Sequence, residues 1–295
     1  MDVHRTPDER FEGLPGYAFE PHYADVDGLR MHHVDEGVGD PVLLLHGEPT
    51  WAFLYRKMVP PLVAGGWRTI APDYVGFGRS DKPTDRAFFT YDMHVRSVTQ
   101  LVTQLDLSSI TVVVQDWGGP IGLRFAVENP ERVDRLVVLN TGLFAPSSRW
   151  PSAGFLRWRA FAERAGLDLP VGFVVQSGSK TELPPEVIAA YEAPFDTPAS
   201  KAGAAMFPLL VPLSADDPGA AEMLRTREGL TRWTKPAMVC FSDSDSIFSV
   251  GAAASMAARI PTAGEPQIVE GAAHFLQEDR GEEVAERILA FLRTS

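Results

Sequence analysis

The segment Val112-Val113-Val114-Gln115-Asp116-Trp117-Gly118-Gly119-Pro120 carries an apolar strand straight into one acidic residue, two glycines and the start of a helix. A sharp strand-to-helix turn of this kind lifts a single side chain clear of the sheet, and glycines give the close backbone approach it requires. The residue lifted here is Asp116. A carboxylate can attack carbon and form an ester, and the start of a helix favours its ionised form. Aspartate is also a good helix N-cap. The turn alone leaves both readings open, and the residues around it separate them.

On either side of the turn, short apolar runs alternate with amphipathic stretches. Strands are predicted at Tyr23 to Val26 and Arg30 to Val34, hinged at Asp27-Gly28, then at Pro41 to Leu45, Arg68 to Ala71, Ile110 to Val114 and Val133 to Leu139. Helices are predicted from Trp51 to about Ala64, from Tyr91 to Leu105, and from Pro120 to about Glu128. This alternation means a mostly parallel sheet with helices on both faces. From about Gly142 to Thr231 the rhythm breaks into proline-rich chain with amphipathic pieces such as Phe155 to Arg164 and Pro185 to Tyr191. It resumes with a strand at Ala237 to Phe241, a helix over Val250 to Arg259, a strand at Gln267 to Glu270 and a closing helix from Glu282 to Arg293. An α/β core of residues 1–141 and 232–295 with an inserted helical cap, 142–231, fits this pattern. Two independent domains fit it less well, because the late strands continue the early sheet.

A chain of 295 residues can bury a full core and still carry an insertion. The formal net charge of −12 argues against nucleic acid or an anionic membrane surface as a partner, because the long-range term is repulsive. Cys240 is the only cysteine, so no intrachain disulfide can form, and its apolar run Met238 to Phe241 reads as a buried spectator thiol. Met1 to Pro15 is charged and lacks the apolar centre of a signal peptide, and no apolar run approaches a membrane span. The expectation is a cytoplasmic monomer acting on a small molecule. No metal or cofactor is expected: His32 and His33 are adjacent on a strand and point to opposite faces, and Gly76-x-Gly78 lacks the lysine and spacing of a phosphate loop.

An ester on Asp116 would have to be hydrolysed by an activated water, and histidine is the natural base near neutral pH. Of seven histidines, His274 follows the last predicted strand and precedes the last helix. His4, His22, His32, His33 and His94 lie before the nucleophile in tail, hairpin or helix contexts, and His46 reads as structural in its loop. An orienting acid belongs in a loop after a late strand, where Asp243 and Asp245 are both available.

The run Gln115-Asp116-Trp117-Gly118-Gly119 resembles the nucleophile turn of the haloalkane dehalogenases and, more loosely, that of epoxide hydrolases. The resemblance extends to His46-Gly47-Glu48-Pro49-Thr50-Trp51, to Ala71-Pro72-Asp73-Tyr74-Val75-Gly76-Phe77-Gly78-Arg79-Ser80-Asp81-Lys82-Pro83, and to Ala273-His274-Phe275. It covers nearly the whole chain, strongest in the core and weakest in the cap. It implies an α/β-hydrolase fold in which Asp116 stands where G-x-S-x-G enzymes carry serine, with Val114 in place of the first glycine. His274 sits where the order nucleophile, acid, histidine requires. Similarity favours Asp245 over Asp243 as the acid. A second group of dehalogenases places its acid after the preceding core strand, where this chain has Asn140-Thr141 and no carboxylate.

The resemblance also implies an oxyanion hole made by the backbone N–H groups of Glu48 and Trp117. Many dehalogenases carry asparagine at position 48 as a halide donor; an ionised Glu48 could not donate, so the second donor must lie elsewhere. Trp117 is implied as the first halide-binding indole and a cap tryptophan as the second. The stretch Gly154-Phe155-Leu156-Arg157-Trp158-Arg159 resembles the cap segment carrying it, which favours Trp158 over Trp150 and Trp233. Asp73 and Arg79 read as fold-stabilising. An epoxide hydrolase would share Asp116, His274 and Asp245 but would bring two cap tyrosines, whereas this cap holds only Tyr191. A serine esterase lacks its serine here, and a receptor that had lost catalysis would be expected to have lost a triad member.

Overall fold

The computed structural model describes residues 1–144 and 151–295. Its centre is an eight-stranded sheet: β1 (His22–Val26), β2 (Leu29–Glu36), β3 (Pro41–Leu45), β4 (Arg68–Pro72), β5 (Ile110–Val114), β6 (Val133–Leu139), β7 (Ala237–Ser242) and β8 (Gln267–Val269). Across the sheet the order is β8-β7-β6-β5-β3-β4-β2-β1. The pairs from β4 through β8 are parallel, and β2 joins β4 and β1 in antiparallel fashion. All five residues of β3 and of β5 are buried, as strands covered on both faces must be.

The first hairpin turns at Asp27 (φ 53°) and Gly28 (φ 79°), the left-handed pair that a two-residue hairpin needs, with Val26 facing Leu29. Helices α1 (Val59–Ala64), α2 (Tyr91–Gln104) and α3 (Gly118–Glu128) precede β6, and α9 (Val250–Ala257) and α10 (Leu276–Leu292) follow β7 and β8. Thr90 caps α2 through its side chain, accepting from the Met93 N–H at 3.1 Å.

Between β6 and β7 the described residues hold helices and no strand: α4 (Ala153–Ala165), α5 (Val171–Ser177), α6 (Pro185–Glu192), α7 (Ala202–Leu210) and α8 (Ala220–Leu230). Helices α4 and α7 pack together, as do α5 and α6, and α8 packs on α3.

Two predicted helices are redrawn. Trp51 to Ala64 is not continuous: a 3-10 turn over Ala52–Tyr55 precedes α1, because Pro60 and Pro61 lack the N–H groups that a continuous helix would need from them. The helix expected to end at Arg259 stops at Ala257. The closing helix, expected from Glu282, runs from about Gly281, after a kink at Arg280 (φ −144°, ψ 36°) that separates it from the turn Leu276 to Asp279. A Cβ at Gly281 would lie 2.8 Å from Cβ of Lys57, so the glycine allows close packing at that point.

Candidate active site

β5 delivers the nucleophile turn to the edge of a cavity. Asp116 adopts φ 49°, a strained left-handed conformation for a residue with a side chain, and α3 starts two residues later. Hydrogen bonds hold the strain in place: the Asp116 N–H donates to the Asn140 carbonyl at 2.9 Å, and the Thr141 hydroxyl donates to the Asp116 carbonyl at 2.5 Å. A Cβ at Gly118 would lie 2.1 Å from the Leu45 carbonyl oxygen, and one at Gly47 2.3 Å from Cβ of Asp116. Neither glycine can be replaced without moving the turn. Asp116 is therefore the elbow residue itself and not an N-cap.

His274 brings its two ring nitrogens to two carboxylates. Nδ1 lies 2.9 Å from Oδ2 of Asp245, and Nε2 lies 3.6 Å from Oδ2 of Asp116. The other oxygen of Asp245 accepts the N–H groups of Ile247 at 2.7 Å and Phe248 at 3.0 Å, which fixes the carboxylate in its loop. Asp243 is engaged elsewhere, with the Gly271 N–H and the Ser244 hydroxyl. Of the two candidate acids, Asp245, the one favoured by the resemblance, is the one beside His274. Burial pulls the His274 ring down, but Asp245, and then Asp116, raise it to about 9. Burial raises the Asp116 carboxyl, against the opposing effect of His274 and of the Glu48 and Trp117 N–H groups. The Glu48 N–H donates to Oδ1 of Asp116 at 2.8 Å.

Asp116, His274, Trp117, Trp158 and Phe144 line a cavity of about 220 Å³. The Trp117 ring stacks on Phe207 of α7, centroids 4.9 Å apart. Neither the Trp117 nor the Trp158 indole N–H donates to a protein acceptor among the described residues. Trp233 lies against a separate crevice with Val127 and Pro130, which removes it as a donor to this cavity. Trp150 lies outside the described residues. Both carboxyl oxygens of Glu48 are buried with no partner among the described residues, and burial together with Asp116 holds that group well above the usual carboxylate range. Both influences favour the uncharged form of Glu48. The Tyr191 hydroxyl donates to the Glu278 carboxylate, which also forms a buried ion pair with Arg56. The one cap tyrosine is therefore committed to that buried pair and is not among the residues lining the cavity.

Other expectations keep their places. Asp73 accepts from the Ala52 N–H at 2.7 Å and lies 2.7 Å from the His32 ring, a structural role, and the Arg79 N–H donates to it as well. His46 spans its loop between the Gly47 carbonyl and the Tyr74 N–H.

Two polar residues near His274 escaped the sequence reading. The Gln115 amide lies 3.3 Å from Nε2 of His274 and donates to its carbonyl at 3.2 Å, and Asn140 donates to the Ala273 and His274 carbonyls at 2.9 and 3.2 Å. Each is the first polar residue after the end of a core strand, which is a signal of position but not of partner.

The family model for the α/β hydrolase fold matches residues 40–281. A haloalkane dehalogenase of Mycobacterium marinum is 48% identical to the chain, covering 99% of it and 100% of the relative. Haloalkane dehalogenase 1 of Mycobacterium tuberculosis is 50% identical, with 99% of each covered. The chain belongs to the haloalkane dehalogenases. Among solved structures, the haloalkane dehalogenase DpaA of Paraglaciecola agarilytica superposes with a TM-score of 0.93 at 36% identity, over 98% of both chains. That dehalogenase is tetrameric in its structure. Membership of that family accounts for the fold.

Proposed function

We infer that the protein hydrolyses haloalkanes to alcohol, halide and a proton, through an ester formed on Asp116. One observation carries the reading: His274 stands between Asp245 and Asp116 at the edge of a cavity that both Trp117 and Trp158 also line. In the first half-reaction a carboxylate oxygen of Asp116 attacks the carbon bearing the halogen. The carbon–halogen bond breaks, its electron pair leaves with the halide, and the indole N–H groups of Trp117 and Trp158 receive the anion. In the second, His274 takes a proton from water, and the resulting hydroxide attacks the carboxyl carbon of Asp116. The oxyanion develops on a carboxyl oxygen held by the Glu48 and Trp117 N–H groups, donors typically worth about 10²–10³ in rate each. The ester bond then breaks, alcohol leaves, and the carboxylate returns. Asp245 keeps the imidazole in the tautomer that presents Nε2 to water. No step calls for a metal or cofactor.

Residues 142–231 serve as the cap that closes the cavity over Asp116, on a core of 1–141 and 232–295. The epoxide hydrolase reading loses its remaining support, since Tyr191 is bound to Glu278. No helix among the described residues is long and apolar enough to cross a membrane, and a cytoplasmic setting is part of this proposal. The monomer expectation meets a counterexample in the tetrameric relative, and light scattering on the purified chain decides it. The reaction is tested by halide release from a panel of brominated and chlorinated alkanes. Release that vanishes in Asp116→Ala is the expected result; release that persists in that variant refutes the mechanism.

A further inference from the structure

The proposed mechanism leaves one buried acid near the base unused. Asp279, in the first turn of α10, is 8% exposed. Its Oδ2 accepts the N–H groups of Ala273 at 2.8 Å and Lys180 at 3.1 Å, and its Oδ1 accepts that of Thr181 at 2.7 Å. Ala273 immediately precedes His274. Lys180 and Thr181 belong to the turn between α5 and α6. On the other side of His274, the Phe275 N–H donates to the Gly178 carbonyl at 3.0 Å. The base is therefore flanked, before and after, by hydrogen bonds that end on residues 178–181.

We propose that Asp279 is a positioning residue for His274, coupling the base to the cap turn 178–181 so that this turn governs ester hydrolysis and leaves alkylation alone. The proposal rests on the reading of Asp116 as nucleophile and His274 as base. The two half-reactions make different demands on the site. Attack by Asp116 needs its own carboxylate, whose Oδ1 is held by the Glu48 N–H, and among the described residues no hydrogen bond joins Asp116 to the 178–181 turn. Hydrolysis needs Nε2 of His274 within hydrogen-bond reach of a water aimed at the Asp116 carboxyl carbon, and displacement of such a group by 1 Å costs on the order of 10²-fold in rate. A carboxylate satisfies three N–H donors at once. An asparagine offers one accepting oxygen and sets an N–H against the backbone donors left over, so one side of the seam must open.

The test is Asp279→Asn in the full chain, mixed rapidly with 1,2-dibromoethane and quenched. Bromide and the intact mass of the alkylated protein are followed over time. The expected result is a bromide burst of about one per site at the unmodified rate, followed by accumulation of the ester and hydrolysis slowed roughly 10–10²-fold. Hydrolysis unchanged in the folded variant overturns the proposal, and so does an equal loss in both half-reactions, the mark of general destabilisation. Thr181→Pro approaches the same seam from the cap side, since it removes the N–H that donates to Oδ1 of Asp279. It should give the same split, and it decides the matter if Asp279→Asn does not fold. Absence of bromide release from the unmodified chain would instead remove the reaction on which the proposal rests, an outcome distinct from a variant that loses both steps.

Discussion

Asp116→Asn is the most informative single change, because it imitates the charge of the alkylated site without changing the shape of the side chain. The ester on Asp116 would be neutral, and so is the amide. In the resting protein Nε2 of His274 lies 3.6 Å from a carboxylate oxygen, and the ring is pushed up to about 9. Removing that negative charge takes away an attraction that favours the imidazolium, so the pKa must fall. At about 4 Å a charge pair is worth about 1 kcal/mol in bulk water and about 4 kcal/mol at the effective dielectric of a protein surface. At about 1.4 kcal/mol per unit, the fall is about 1 to 3 pKa units. His274 would then titrate at roughly 6 to 8, as a base for use near neutrality should. The assay is a long-range nitrogen–proton NMR titration of the imidazoles, with His274 assigned by its absence in His274→Phe. A midpoint in Asp116→Asn that is unchanged or higher would refute the electrostatic argument. The same shift sets a stability window. A histidine raised to about 9 contributes stability that is fully present below about pH 6.5 and is lost as the pH rises through about 9. Urea unfolding across that range should show the loss in the unmodified chain, ending at lower pH in Asp116→Asn.

Trp117→Phe and Trp158→Phe keep an aromatic ring and remove an N–H; each should weaken bromide binding by about 1.5–3 kcal/mol, roughly 10–100-fold in Kd, read by quenching of the remaining tryptophan fluorescence. Trp233→Phe is the control that leaves Kd alone, and equal affinity in all three variants would strike the two indoles from the halide site. Glu278→Gln should destabilise the fold by about 3–5 kcal/mol in urea, because it leaves Arg56 buried without its counter-charge; a loss under about 1 kcal/mol would show that the pair is dispensable.

The core was legible because its signals are local. The apolar runs of β3 and β5 are continuous enough to be placed to the residue, and the Asp27-Gly28 hinge needs only four residues to be read. The elbow was legible for the same reason. Helix ends were less so: whether Pro60-Pro61 starts a helix or interrupts one depends on the 3-10 turn before it. The sequence left Asp243 and Asp245 two residues apart with the same chemistry. The resemblance favoured Asp245, and the fold gives the physical reason, sending one carboxylate to His274 and the other to Gly271 and Ser244. The contacts of Gln115, Asn140 and Asp279 were invisible, since each joins segments far apart along the chain and no periodicity records such a partner.

The unpartnered carboxyl of Glu48 sets the electrical inventory of the cavity. Burial and Asp116 both push that carboxyl towards its uncharged form, so it adds little negative charge beside the Asp116 carboxylate. Under the proposed chemistry, alkylation turns Asp116 into a neutral ester and releases one halide ion into the same space. The first half-reaction then moves a negative charge and creates none, so the surroundings need little dielectric adjustment as the bond breaks. An ionised Glu48 would set the departing halide beside a second anion. A side chain held towards its protonated form lets an anion be born inside an acidic protein.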